Sequence, residues 1–152
     1  MRRPEGLEQE IVMVHGNQPD PFTVSHHDSI FEVDPANGQK TGLYLDIMDS
    51  YQKVALLAPG KKVLDLFCNQ GGFSLACALA GAQSVRAVDI SEDATTAAAK
   101  NAELTGVQIE AITANAFDFL RKHNETYDLI ILDPPSFTRN KKTVKDAMRG
   151  YK

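Results

Sequence analysis

Asp89 closes the run VRAVD, and Asn69, Gln70, Gly71 and Gly72 follow the run VLDLFC. A carboxylate just beyond a strand can accept two hydrogen bonds from a ribose diol. The competing reading of Asp89 is a plain helix-start acid, a role that Ser91, Glu92 and Asp93 already fill. A glycine-containing turn between a strand and a helix has its own chemistry. Without a Cβ, the backbone can come close to a ligand, or the helix can simply start and pack. Both readings of Gly71 and Gly72 stay open on this stretch alone. Asp65 lies inside the apolar run Val63–Phe67 and needs a polar partner near the carboxyl end of that strand. A pyrophosphate site would call for G-x-G-x-x-G, whereas only two adjacent glycines occur here, so the ligand should lack a pyrophosphate and a nicotinamide oxidoreductase is disfavoured.

The elements that would position these residues alternate. YLDIMDSYQKVALLA carries apolar residues at three- and four-residue spacing (Tyr44, Ile47, Met48, Tyr51, Val54, Ala55, Ala58), a helix stripe ended by Pro59 and Gly60. Val63–Phe67 reads as a buried strand and Phe73 onward as a helix stopped by Gly81. A second strand over 85–91, an alanine-rich helix capped by Ser91 and closed by Gly106, a third strand over 109–115 and the short helix FDFLRKH follow. YDLIILD, 127–133, reads as a fourth strand apolar enough to be buried on both faces. Strands alternating with helices predict a parallel α/β sheet with right-handed crossovers, whose carboxyl ends face one crevice. Ahead of it, residues 1–38 read as two or three short strands, IVMVHG and FTVSHHDSIFEVD among them, the tail of a β-rich module. The division is therefore 1–38 and 39–152.

At 152 residues, 43% hydrophobic and 24% charged, the chain has the make-up of one soluble globular unit. A net charge of −4 offers no global attraction for nucleic acid. The stretch 139–152 is locally basic (Arg139, Lys141, Lys142, Lys145, Arg149, Lys152), either a solvated helix face or a phosphate attractor. Cys68 and Cys77 lack metal-ligand spacing, and reduced thiols suit a cytoplasmic protein. The histidines form no metal set: His15 and His123 are isolated, and His26 and His27 should point apart in extended chain. No run approaches membrane-spanning length.

The segments VLDLFCNQGGFSL and VDIS resemble motif I and the ribose-binding turn of class I S-adenosylmethionine-dependent methyltransferases. GQKTGLYLD, NAFDFL, LIILDPPSF and MRGYK, in that order, resemble more narrowly the bacterial large-subunit (23S) rRNA cytosine-C5 methyltransferase family. The resemblance covers nearly the whole chain. It implies a Rossmann-like methyltransferase fold, truncated after the fourth strand, with S-adenosylmethionine as cofactor and large-subunit rRNA as partner. By position, Asp65, Phe67, Cys68, Asn69, Gly71 and Gly72 would line the methionine and ribose part of the cofactor. Asp89 would take the ribose hydroxyls, Ile90 would lie against adenine, and Asn115 and Ala116 would sit at the adenine edge. Asp133 and Pro134 would face the methyl group and the target base. That last role has a physical footing, because Pro134 and Pro135 stiffen the turn and the carboxylate and carbonyls can accept from a base.

Three departures from the family pattern stand out. Asn115 replaces a usual Asp. Ile47, Met48 and Tyr51 stand where Gln-Arg and a second Arg are common. The family also extends at both ends, with an amino-terminal RNA-binding domain and a later cysteine-bearing segment, so the resemblance implies an internal piece with an open sheet edge that invites a homodimer. Cytosine-C5 transfer needs a thiolate attacking C6, and neither Cys68 in the turn nor Cys77 in a helix is well placed. An RNA guanine methyltransferase (N7 or N2), needing no covalent step, and a non-catalytic cofactor-binding fragment are the alternatives.

Overall fold

The computed structural model describes residues 15–17, 19–35 and 43–135. It opens with a hairpin, β1 (Phe22–His26) and β2 (Ser29–Val33), paired antiparallel. After a single 3₁₀ turn at Leu45–Ile47 the elements run α1 (Met48–Ala55), β3 (Lys62–Leu66), α2 (Gly72–Leu79), β4 (Ser84–Asp89) and α3 (Glu92–Thr105). β5 (Glu110–Thr113), α4 (Ala116–Lys122) and β6 (Leu129–Leu132) follow, the last of the elements among the described residues. β3 to β6 form one parallel sheet in the order β5-β4-β3-β6, so the chain winds outward from β3 to β5 and then crosses to the other side of β3, which puts the switch point between β3 and β6. The expected α/β architecture with a preceding β segment is therefore present.

Helix starts and stops follow local chemistry. The Ser91 hydroxyl accepts from the Ala94 N–H at the head of α3, where Glu92 and Asp93 also meet the positive helix end. Gly106, at φ 78°, closes α3 in the left-handed conformation. The stripe expected over 44–58 is realised with a change of helix type: Met48, Tyr51, Ala55 and Ala58 are buried, but Leu45–Ile47 form the tighter turn.

The core is layered. On one face of the sheet Val63, Val85 and Ile131 meet Ala58 and Cys77. On the other, Leu64, Leu66 and Val88 meet Ala116, with Phe119 and Tyr127 against them. A third cluster joins Phe31 and Val33 of the hairpin to Met48, Tyr51, Leu75 and Ala102. The hairpin thus shares packed side chains with α1, α2 and α3.

Two expectations need correction. β6 is not buried on both faces: Leu129 and Ile131 pack inward, while Ile130 and Leu132 are 54% and 62% exposed. α4 covers β3, β4 and β5 and, among the described residues, nothing lies over β6 on that side. His26 and His27 do not point apart. His27 sits in the hairpin turn at φ 49°, and the two rings meet edge to face at 4.5 Å. No group of three potential metal ligands occurs among the described residues, and no helix there could cross a membrane.

Candidate functional site

Beyond the carboxyl end of β3 the backbone takes the left-handed conformation three times in five residues: Phe67 (φ 64°), Asn69 (φ 48°) and Gly71 (φ 83°). For Phe67 and Asn69 this costs about 1–2 kcal/mol each, so neighbours must impose it. Those neighbours are identifiable. The Cys68 N–H donates to the Val88 carbonyl at 3.1 Å, and the Gly71 N–H donates to the Cys68 carbonyl at 2.8 Å. The Asn69 N–H donates to Asp89 Oδ2 at 3.0 Å. The other oxygen of Asp89 accepts from the Ser91 N–H, also at 3.0 Å. Asp89 is thus a clamp between the turn after β3 and the turn after β4. Each of its oxygens retains a second lone pair, and the side chain is only half-buried.

Asp65 is 1% exposed, and its expected partner is Ser74, nine residues on in the first turn of α2. The Ser74 hydroxyl donates to Asp65 Oδ2 at 2.6 Å, and the Ser74 N–H donates to the same carboxyl. α2 has Gly71 at its N-cap and no side-chain cap from that position. The strand residue therefore supplies the acceptor that the helix start lacks. Burial raises the Asp65 pKa to about 7 against the lowering effect of Ser74, with the Asp133 and Asp89 charges adding to the rise. Asp65, Asp89 and Asp133 thus stand towards the carboxyl ends of three adjacent strands, β3, β4 and β6.

Gly71 and Gly72 answer the question left open by the sequence. A Cβ on Gly71 would meet the Ala98 Cβ at 3.1 Å. A Cβ on Gly72 would meet the Tyr51 ring at 2.3 Å. Gly72 is required by the packing of α2 against α1, and Gly71 is favoured both by its left-handed backbone and by the closeness of α3. Their packing role is thereby established, and it is compatible with backbone exposed to a ligand on the other side of the turn. Tyr51 is buried against Phe31 and Phe73. Burial and then the charge of Asp65 push its pKa up to about 12.

Asn115 caps α4: its Oδ1 accepts from the Phe117 and Asp118 N–H groups at 3.0 and 3.2 Å. The oxygen expected to accept from an adenine amine is thus engaged by the helix, and Nδ2 is the polar group left for a ligand. Ala116 is buried in the core, whereas Ile90 is 67% exposed beside Asp89. Asp133 is exposed and Pro134 half-buried directly after β6. Cys68 and Cys77 are both buried free thiols. Burial pushes the Cys68 thiol well above its ordinary range and the Cys77 thiol up to about 12, so both are protonated at neutral pH. Lys40, Thr41, Ser136, Phe137 and the basic stretch 139–152 lie outside the described residues.

Sequence reasoning missed Phe117, Ser74 and Asn101. Phe117 is 37% exposed and stands edge to face with Phe67, their centroids 6.2 Å apart, which puts an aromatic pair at the crevice. Its signal was its place two residues after Asn115. For Ser74 the signal was the unpartnered Asp65. For Asn101 it was an amide on the apolar stripe of an alanine-rich helix.

A family model described as S-adenosylmethionine-dependent methyltransferase matches residues 9–150. The chain belongs to this family. Among its curated relatives, the ribosomal RNA large subunit methyltransferase I of Photobacterium profundum is 38% identical over the whole of this chain and 40% of its own length. The protein of the same name from Aeromonas salmonicida is likewise 38% identical. The chain thus spans about 40% of the length of these relatives. Among solved structures, the methyltransferase SMU.776 in complex with S-adenosylhomocysteine superposes with a TM-score of 0.73 at 30% identity, over 86% of this chain and 36% of its own. The S-adenosylmethionine-dependent methyltransferase of Agrobacterium tumefaciens gives 0.74 at 27% identity, over 84% and 44% respectively. The family's cofactor is S-adenosylmethionine, and the Rossmann-like sheet is its fold.

Proposed function

We propose that the crevice at the carboxyl ends of β3, β4 and β6 holds S-adenosylmethionine, and that the whole protein methylates large-subunit ribosomal RNA. The observation that carries the cofactor placement is the Asp89 clamp, which fixes the turn after β3 and still offers two lone pairs to a ribose diol. The residues fit the group in other respects. Ile90 offers an exposed apolar surface to a purine, and Phe67 and Phe117 add an aromatic wall. The carboxyl groups of Asp89 and Asp133, beyond the ends of the two strands that flank β3, suit a ligand bearing an ammonium and a sulfonium. The cofactor supplies the activated methyl group, and the protein has to orient acceptor and cofactor and exclude water. Asp133 and the Pro134 segment, beyond the end of β6, are assigned to the target base, whose donors a carboxylate and a carbonyl can accept.

Among bases, cytosine C5 is the reading for the whole protein on the strength of the family resemblance alone, since the relatives' names specify large-subunit ribosomal RNA and no base. Within this chain a specific observation favours a transfer without a covalent step, such as to guanine N7 or N2. The sequence holds only two cysteines, and both thiols are buried and protonated. This chain by itself is therefore expected not to make 5-methylcytosine.

Calorimetry with S-adenosylhomocysteine and with NAD tests the cofactor. The former should bind more tightly, and Asp89→Ala should weaken it by roughly 1–3 kcal/mol. Tighter NAD binding, or unchanged affinity in the folded variant, overturns the placement. The base is tested with labelled cofactor and unmodified large-subunit rRNA. Label at cytosine C5 that disappears in Cys68→Ser, with cofactor binding intact, would show that Cys68 is the nucleophile after all.

A further inference from the structure

Asn101 is 1% exposed in α3, and its amide is divided between two partners distant in sequence. Its Oδ1 accepts from the Glu32 N–H on β2 at 2.8 Å, and its Nδ2 donates to the Gln70 carbonyl, in the turn after β3, at 3.1 Å. The partners fix the orientation of the amide, since an N–H demands the oxygen and a carbonyl demands the nitrogen. One helical turn later, Thr105 Oγ1 accepts from the Ile30 N–H at 2.9 Å and donates to the Ile30 carbonyl at 3.3 Å. The match in spacing is geometric. Four residues of helix rise about 6 Å and two residues of strand about 6.7 Å, so side chains at i and i+4 meet alternate amides of the strand. α3 gives the outer edge of β2 what a third strand would otherwise give. The Lys100–Glu32 ion pair, at 2.5 Å, closes the same seam at the surface.

Thr105 and Asn101 differ in one respect. Thr105 ties α3 to the hairpin alone, whereas Asn101 ties the hairpin to the turn. Gln70 lies between Asn69 and Gly71, both left-handed, in the segment that Asp89 clamps from the other side. We propose that Asn101 is a positioning residue for the cofactor turn, making the geometry of residues 69–71 depend on the docking of the hairpin. This rests on the placement of S-adenosylmethionine given above. A displacement of β2 would release Asn101, and with it the Gln70 carbonyl, so whatever engages the chain ahead of β1 is coupled to cofactor affinity.

The test is S-adenosylhomocysteine binding by calorimetry, with melting temperature recorded for each variant of the full chain. Thr105→Val should melt earlier yet bind within about twofold of the parent, because it loses only the hairpin bonds. Asn101→Asp should bind like the parent at pH 5.5, where its protonated acid can still donate to Gln70. At pH 8.5 its carboxylate faces a carbonyl, and binding should be about tenfold weaker than the parent at the same pH. Asn101→Ala, which adds no charge, should be about tenfold weaker at either pH and serves if the aspartate variant unfolds. Parent-like affinity in folded Asn101→Ala, or equal weakening in Thr105→Val, overturns the proposal. Failure of the parent chain to bind the ligand at all would overturn the cofactor placement itself, and this inference with it.

Discussion

The two ends of the parallel sheet handle charge in opposite ways. At the amino ends of the strands, around an open hollow of about 470 Å³, charges are matched to one another. Arg86 on β4 pairs with Glu110 on the neighbouring strand and with Glu125 at 2.6 Å, and it donates to the Tyr127 hydroxyl at 2.9 Å. Its Nη1 also stands 2.6 Å from His123 Nε2, in a ring that stacks on Phe119. The Lys62 N–H is taken up by Asp128 at 2.9 Å. At the carboxyl ends, Asp65 and Asp89 are held by N–H and hydroxyl donors, and no ion pair among the described residues involves Asp65, Asp89 or Asp133. Dipolar donors fix a carboxylate in place without neutralising it. One end gathers its acids around a single guanidinium, that of Arg86. At the other, the half-buried Asp89 and the exposed Asp133 have no ion-pair partner among the described residues.

The carboxyl end is also the more tightly built, and the largest effect should appear there. Gly72→Ala would ordinarily favour a helix by up to about 1 kcal/mol. Here the added methyl meets the Tyr51 ring, so a net loss of about 1–3 kcal/mol in denaturant unfolding is expected. Combining it with Tyr51→Leu should recover part of that loss. A Gly72→Ala variant as stable as the parent would break the packing account of this glycine.

Asp65 tests the electrostatic half of the contrast. Its folded pKa, about 7, lies above the ordinary value of 3.8, so folding favours the protonated form. Its contribution to stability is therefore fully present below about pH 4 and is lost as the pH rises through about 7. Unfolding free energies of the parent and Asp65→Asn, taken from pH 4 to 8, should diverge in that sense: the parent loses stability relative to the variant as pH rises. A constant difference across the range would mean that Asp65 stays ionised beside Ser74. The smallest effect belongs to the amino end. Arg86→Met breaks a partly exposed network and should cost about 1 kcal/mol or less. It should leave S-adenosylhomocysteine affinity unchanged, and a weakened affinity would join the two ends that the structure keeps separate.

Much of this was legible in the chain. Period and punctuation located every strand and helix of the sheet, because an apolar run between turn residues has few alternatives. Asp89 could be singled out because its strand-end position is a matter of order along the chain. The burial of β6 was misjudged, since apolar sequence does not say which faces neighbours cover, and Ile130 and Leu132 stand exposed. The histidine pair was misjudged because a two-residue turn, not extended chain, sets the angle between the rings.

The sequence by itself determined the alternation of elements, the parallel sheet and the gathering of the strands' carboxyl ends along one side of it. Each of those follows from local periodicity and from the handedness of crossover connections, which nearby residues dictate. Only the tertiary structure decided what the polar groups there do. Asp65 caps a helix nine residues away, Gly72 makes room for Tyr51, and Asn101 joins Glu32 to Gln70 across sequence separations of 69 and 31. A hydrogen bond is a contact of about 3 Å between particular atoms, and its partner is fixed by how the elements pack, which no spacing along the chain encodes.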